Sequence, residues 1–281
     1  MLRDGVLTPE ALRSSAWRRL YRGIYADSRL PESHGVLVRG ARLLAPCVGG
    51  CQRAHRGIPA RGTTLVGPGR PVEIAIPAVM QFGPVTGLRV RRVRLPEADV
   101  VRRDPLRFTT GLPTALDIAR LETVHDSVPA LDVLLARQVV DLAELQDAAS
   151  ELAGVRGARR AREAASLADP RAESQPESRL RVALAPAGLP AVPQYTVRAA
   201  AGGFAGRVDL ALPAQRVAVE YDGAWHGETR QLGRDRRRLN RLAAAGWIVF
   251  HVTARDMHDV EVLVAALREL LAERERWLVG P

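Results

Sequence analysis

Two strand-like runs near the C-terminus, Gly206-Arg-Val-Asp-Leu-Ala-Leu-Pro213 and Arg216-Val-Ala-Val-Glu-Tyr-Asp-Gly223, carry three acidic side chains among apolar neighbours. Only Ala214 and Gln215 lie between them, so the two runs are expected to be antiparallel neighbours. Asp209 and Glu220 then fall at the ends of adjacent buried strands, with Asp222 beside them. Carboxylates brought together in such a setting are strongly disfavoured unless something cationic neutralises them. A hard divalent cation with oxygen ligands, Mg²⁺ or Mn²⁺, would do so.

The rest of the composition narrows the partner. The chain has 281 residues, long for one core, and two or three domains are expected. Its formal net charge is +10, and all 41 basic residues are Arg. The absence of Lys excludes any mechanism that needs an active-site Lys. A surplus of guanidinium groups favours a polyanionic partner such as DNA, through phosphate pairing and counterion release; a solvated, solubilising Arg surface is the plain alternative. Cys47 and Cys51 have no second Cys pair to complete a zinc site, although His55 lies four residues on. Ordinary thiols in a reducing cytoplasm are the simpler reading. No apolar run approaches the ~20 residues of a membrane helix, so a cytoplasmic protein without membrane partners is expected.

Along the chain, Thr8-Pro9-Glu10 reads as a helix start with Thr8 as N-cap and Pro9 at the first helical position. A short helix through Leu12, a turn, a basic segment from Trp17 to Leu20 and a strand over Tyr21–Tyr25 give the order of a winged helix-turn-helix spanning residues 1–45. Arg13, Arg18, Arg19 and Arg22 would then face phosphates, unless Trp17, Leu20 and Tyr21 simply form a small core ringed by solvated Arg. A connector over residues 46–168 follows. It has a helical stretch broken by Pro46, strands at Val72–Ile76 and Leu88–Leu95, and helical periodicity from Pro113 onward. The polar, Pro-bearing segment Asp169–Pro176 marks the next boundary. Beyond it, residues 170–281 read as α-β-β-β-α-β-α, making the whole a mixed α/β protein.

This last unit resembles the PD-(D/E)xK nuclease superfamily. Within it, the closer likeness is to the domain-of-unknown-function family 559, restriction-endonuclease-like relatives of very-short-patch-repair endonucleases. The likeness rests on Pro176-Glu-Ser-Arg-Leu-Arg181, Gly206-Arg-Val-Asp209, Val219-Glu-Tyr-Asp-Gly223 with His226, Asp235-Arg-Arg-Arg238 and Ala245-Gly-Trp-Ile-Val249. The N-terminal Gly5-Val-Leu-Thr8, Trp17-Arg-Arg-Leu20 and Arg22-Gly-Ile-Tyr25 resemble the winged-helix domain of AbiEi-type antitoxins, which implies a toxin-antitoxin or defence setting. The resemblance implies a metal-binding acid at Asp209, the motif's second acid at Glu220 and a helix-borne acid at Glu177. Asp222 stands where the superfamily has Lys, which removes a cation credited with positioning the attacking water.

From the residues alone, Asp209 and Glu220 could share a Mg²⁺ together with the backbone carbonyl of Tyr221, while Asp222 holds a water and His226 acts as general base. Arg230, Arg234 and Arg238, spaced four apart on the following helix, would form a basic stripe along a phosphate backbone. Each residue also has a structural reading: Asp209 paired with Arg207, Glu177 favoured in a first helical turn, His226 as a hydrogen-bonder, Asp235 in an intrahelical ion pair. The expectation is a Mg²⁺-dependent DNA endonuclease; the alternative is a DNA-binding regulator built on a degenerate nuclease fold. A homodimer is compatible with either, since nothing in the sequence fixes the oligomeric state.

Overall fold

A computed structural model describes residues 7–44, 54–55, 71–77, 79–93, 96–103, 106–223 and 229–279. Cys47, Cys51 and His226 lie outside these, as do the side chains of His55, Arg230 and Arg234. The protein is mixed α/β, and its contacts divide it between Thr114 and Ala115 into two units.

In the first unit, a single 3-10 turn at Ala11–Arg13 precedes a hairpin of β1 (Trp17–Tyr21) and β2 (Ile24–Asp27), then helix α1 (His34–Leu44). Among the described residues no helix-turn-helix precedes the hairpin, and the segment from Trp17 to Leu20 is a strand. The reason is local. Arg22-Gly23, with Gly23 at φ 78°, supplies the tight reversal and so turns Tyr21–Tyr25 into a corner. Tyr21 is buried against α1, where its hydroxyl donates to the Leu37 carbonyl at 3.0 Å and burial pushes its pKa up to about 12.

The same unit holds β3 (Ala54–His55), β4 (Val72–Ile76), β5 (Leu88–Arg92), β6 (Val100–Arg103) and β7 (Leu106–Thr109) in one sheet of order β5-β4-β3-β7-β6. Val72, Ile74 and Ile76 join Tyr21, Val38, Ala41 and Phe108 in its core. Arg89, Arg91 and Arg92 of β5 follow the partial apolar–Arg alternation read from the sequence.

Helix α2 (Gly111–Leu121) crosses the division. The second unit continues with α3 (Val124–Ala136), α4 (Leu142–Ser150), α5 (Ala158–Leu167) and α6 (Gln175–Leu184). Thr123 and Asp141 cap α3 and α4 by accepting backbone N–H groups, as Ser174 does for α6. The polar segment Asp169–Pro176 therefore lies inside a unit rather than between two. The physical link is a buried ion pair: Arg181 on α6 meets Asp132 on α3 at 2.7 Å, and the Asp169 N–H donates to the same carboxylate at 2.7 Å. A Pro-bearing polar stretch looks like a linker in sequence, but here its backbone is a hydrogen-bond donor to a buried acid.

Next come β8 (Val192–Arg198), β9 (Phe204–Leu212) and β10 (Val217–Asp222), then α7 (Thr229–Ala244), β11 (Ile248–Thr253) and α8 (Val260–Val279). The expected α-β-β-β-α-β-α order is observed. The sheet runs β11-β10-β9-β8, antiparallel except for the parallel β10–β11 pair joined through α7. Leu180 and Leu184 of α6 and Leu263 and Leu267 of α8 close over Leu210, Leu212, Val217, Val219 and Val252. A smaller core groups Ala211, Ala218, Leu242 and Trp247. Among the described residues no helix is long and apolar enough to cross a membrane.

Candidate active site

The ladder between β9 and β10 ends early. Leu212, Ala211 and Leu210 pair with Val217, Ala218 and Val219, and one step further stand Asp209 and Glu220. There the next main-chain donor, the Tyr221 N–H, turns instead to the Asp209 carboxylate, Oδ2 accepting at 3.2 Å. A side chain has taken over where the backbone ladder stops, and the two acids meet at that point.

Glu177 reaches the same place from the first turn of α6. It is the distal member of a Ser-x-x-Glu capping box. The Glu177 N–H donates to Ser174 Oγ at 3.3 Å, and that hydroxyl donates to Glu177 Oε1 at 2.7 Å. Oε2 accepts from the Glu173 N–H at 3.2 Å and from Gln194 Nε2 at 2.9 Å. Gln194, on β8 with φ 51°, is in the left-handed region where a non-glycine residue is strained. The first-turn structural reading of Glu177 thus holds, and its charge still bears on its neighbours.

The electrostatic result is concentrated on Asp209, whose pKa rises from 3.8 to about 6. Burial is the main cause and the negative charge of Glu177 the next; Glu220 adds to it, while the Tyr221 N–H and Arg238 oppose it. Among the described residues no donor reaches the second oxygen of Asp209. Its anticipated partner Arg207 is bound to Glu173 at 2.9 Å instead.

Glu220, 8% exposed, has a different fate. Both of its oxygens accept from Arg238 on α7: Nη1 reaches Oε2 at 3.0 Å, Nη2 bonds Oε1, and Nη2 also donates to the Arg207 carbonyl. The bond to Glu220 raises the pKa of Arg238 further above its ordinary value. Arg241, one turn on, donates to the Ala205 carbonyl at 2.9 Å. The expected Arg230–Arg234–Arg238 stripe is therefore corrected at Arg238. A four-residue period does not say what a helical face meets, and Arg238 is turned onto the sheet here. Arg236 and Arg237 of α7 are exposed.

Asp222, exposed at the end of β10, bonds His251 of β11, Nδ1 to Oδ2 at 3.1 Å. His251 was not anticipated. Its signal was its register, because it stands beside Glu220 in the parallel β10–β11 pair, a relationship that requires knowing which strand follows α7. Among the described residues no three His, Cys, Asp or Glu side chains form a group that could hold a metal ion. At the N-terminus, Arg18 is paired with Glu32 at 3.2 Å, Arg19 donates to the Tyr21 carbonyl, and Arg13, Arg19 and Arg22 are exposed.

Two proteins of Mycobacterium tuberculosis are similar to this chain. They are the "Uncharacterized protein MT2308" of strain CDC 1551 / Oshkosh and the "Uncharacterized protein Rv2248" of strain ATCC 25618 / H37Rv, each 34% identical over 146 residues. The match covers 51% of this chain and 54% of each relative, so the chain spans about half the length of the curated relatives it matches. No protein-family profile and no solved structure matches it.

Proposed function

We propose that the second unit is a divalent-metal-dependent nuclease that hydrolyses phosphodiester bonds of DNA, with the Arg-rich first unit contributing to DNA binding in the cytoplasm. The observation that carries this reading is Asp209: a half-buried carboxyl whose affinity for protons is raised by two further acids, and which is itself relieved by any cation that replaces the proton.

The donor set fits Mg²⁺ or Mn²⁺ in part. Asp209 has an oxygen to offer, and Glu220 would join it only if Arg238, which binds both of its oxygens, released it. A bound divalent ion would polarise a phosphate oxygen and make a water molecule acidic enough to attack near neutral pH. The chain's own residues have separate tasks. The Tyr221 N–H fixes the orientation of Asp209, and the Ser174 and Gln194 bonds hold Glu177 against it. The Asp222–His251 pair offers a proton acceptor at the strand ends, the role the sequence suggested for His226. Arg236 and Arg237 are exposed to meet phosphates, as are Arg13, Arg19 and Arg22.

The bidentate Arg238–Glu220 pair favours a second reading, a DNA-binding regulator in which a guanidinium has taken over the cation's position and the nuclease fold is a scaffold. One experiment separates the two. Supercoiled plasmid incubated with Mg²⁺ or Mn²⁺ should be nicked by the parent and left intact by Asp209→Ala and Glu220→Ala. Cleavage that survives both substitutions would sink the assigned site. DNA binding unchanged by chelator, with no thermal stabilisation by either ion, would establish the regulator.

A further inference from the structure

A 560 Å³ pocket is bounded by β8, the β9–β10 turn and the start of β11. Its aromatic side is made by Tyr195 and Trp247, with ring centroids 5.5 Å apart and planes tilted by 32°. Trp247 is 8% exposed and serves as a fixed support, while Tyr195 is half-buried. Arg198 and Arg216 stand exposed among the lining residues, and no Asp or Glu lines the pocket. Among the described residues neither Arg has a carboxylate partner; Arg198 donates only to the Gly202 carbonyl, at 3.3 Å.

Arg216 is held in place. Its backbone lies in the left-handed region at φ 54°, and its carbonyl accepts from the Ile248 N–H at 3.0 Å. Its guanidinium lies over Gly246, where an added Cβ would come within 3.2 Å of Nη1. The pocket thus combines a flat apolar wall with positive charge and a volume in the range of small-ligand sites. Tyr195 pairs in register with Val208, the residue before Asp209, so the pocket and the candidate active site are built on the same pair of strands.

We infer that this pocket receives an unpaired nucleobase and its adjoining phosphate from a nucleic-acid strand: the ring lies against Tyr195, and the phosphate is paired by Arg198 and Arg216. A base can reach a side chain in this way only when it is out of the helical stack, so the partner is a single strand, a loop or a frayed end rather than intact duplex. The inference deepens the nuclease proposal by naming the form of its substrate, but it concerns binding and not hydrolysis.

The test is fluorescence anisotropy with a labelled single-stranded oligonucleotide, the full chain and excess chelator, so that cleavage plays no part. The rim substitutions Arg198→Ala and Arg216→Ala are on exposed side chains and leave the Tyr195–Trp247 support intact. The double variant should bind about tenfold more weakly, with a shallower salt dependence. An abasic oligonucleotide of equal length should also lose about tenfold against the parent, the scale of one stacked base. Equal affinity for abasic and normal strands, for blunt duplex and single strand, or for the double variant and the parent would each overturn the pocket. A chain that binds as expected yet, with Mg²⁺ or Mn²⁺, cleaves neither plasmid nor single-stranded oligonucleotide would keep this inference and remove the nuclease.

Discussion

Replacing Asp209 by Asn should stabilise the protein, and only above mildly acidic pH. A carboxyl whose folded pKa exceeds its unfolded value holds its proton more tightly when folded. Its favourable contribution is complete below its unfolded value, 3.8, and is lost as pH rises to about 6. From there upward the folded chain carries a charge that burial, Glu177 and Glu220 all oppose. At ~1.4 kcal/mol per pH unit, the difference between the two values limits the effect to ~3 kcal/mol. Solvent reaching the half-exposed carboxyl reduces this to about 1 kcal/mol. Asn keeps the shape and, through its carbonyl oxygen, can still accept from the Tyr221 N–H. Urea unfolding of parent and Asp209→Asn at pH 4 and pH 7.5 measures the effect. The midpoints should coincide at pH 4, and the variant's should be higher at pH 7.5. A variant less stable at pH 7.5, or displaced equally at both, would refute the argument that Asp209 carries unrelieved charge.

Two further substitutions probe the surroundings. Arg238→Ala leaves Glu220 buried without its guanidinium and should cost about 2 kcal/mol in chemical denaturation. If a cation can take that place, Mg²⁺ should raise the variant's Tm more than the parent's, and equal shifts would separate Arg238 from any metal site. Asp132→Ala strands Arg181 in the interior and should cost about 3–5 kcal/mol. The same measurement on an Asp132→Leu, Arg181→Met double variant should recover most of the loss; if it does not, the pair is more than a packed ion pair.

Much of the second unit was legible because burial imposes periods on sequence. The alternation in Val217-Ala-Val-Glu marks a strand, the apolar spacing from Val260 onward marks a helix, and Ser174-x-x-Glu177 announces its own cap. The β1–β2 corner was less legible, since Trp17–Tyr25 mixes aromatic, apolar and Arg residues without a clean alternation and only Gly23 tells where it turns. The place of the division was not legible. Asp169–Pro176 has the composition of a linker, and nothing local reveals that Asp132, some forty residues earlier, accepts its backbone N–H.

The sequence by itself determined that Asp209 and Glu220 lie on neighbouring strands, because two short apolar runs with two residues between them have few other ways to pair. It also determined a surface rich in guanidinium. Only the tertiary structure decided that Arg238 turns inward to hold Glu220, that Glu177 adds its field to Asp209, and that His251 stands beside the second acid. Strand and helix periods are set by neighbours in the chain, whereas the charge state of a buried group is set by whatever distant side chains folding brings within a few ångströms of it.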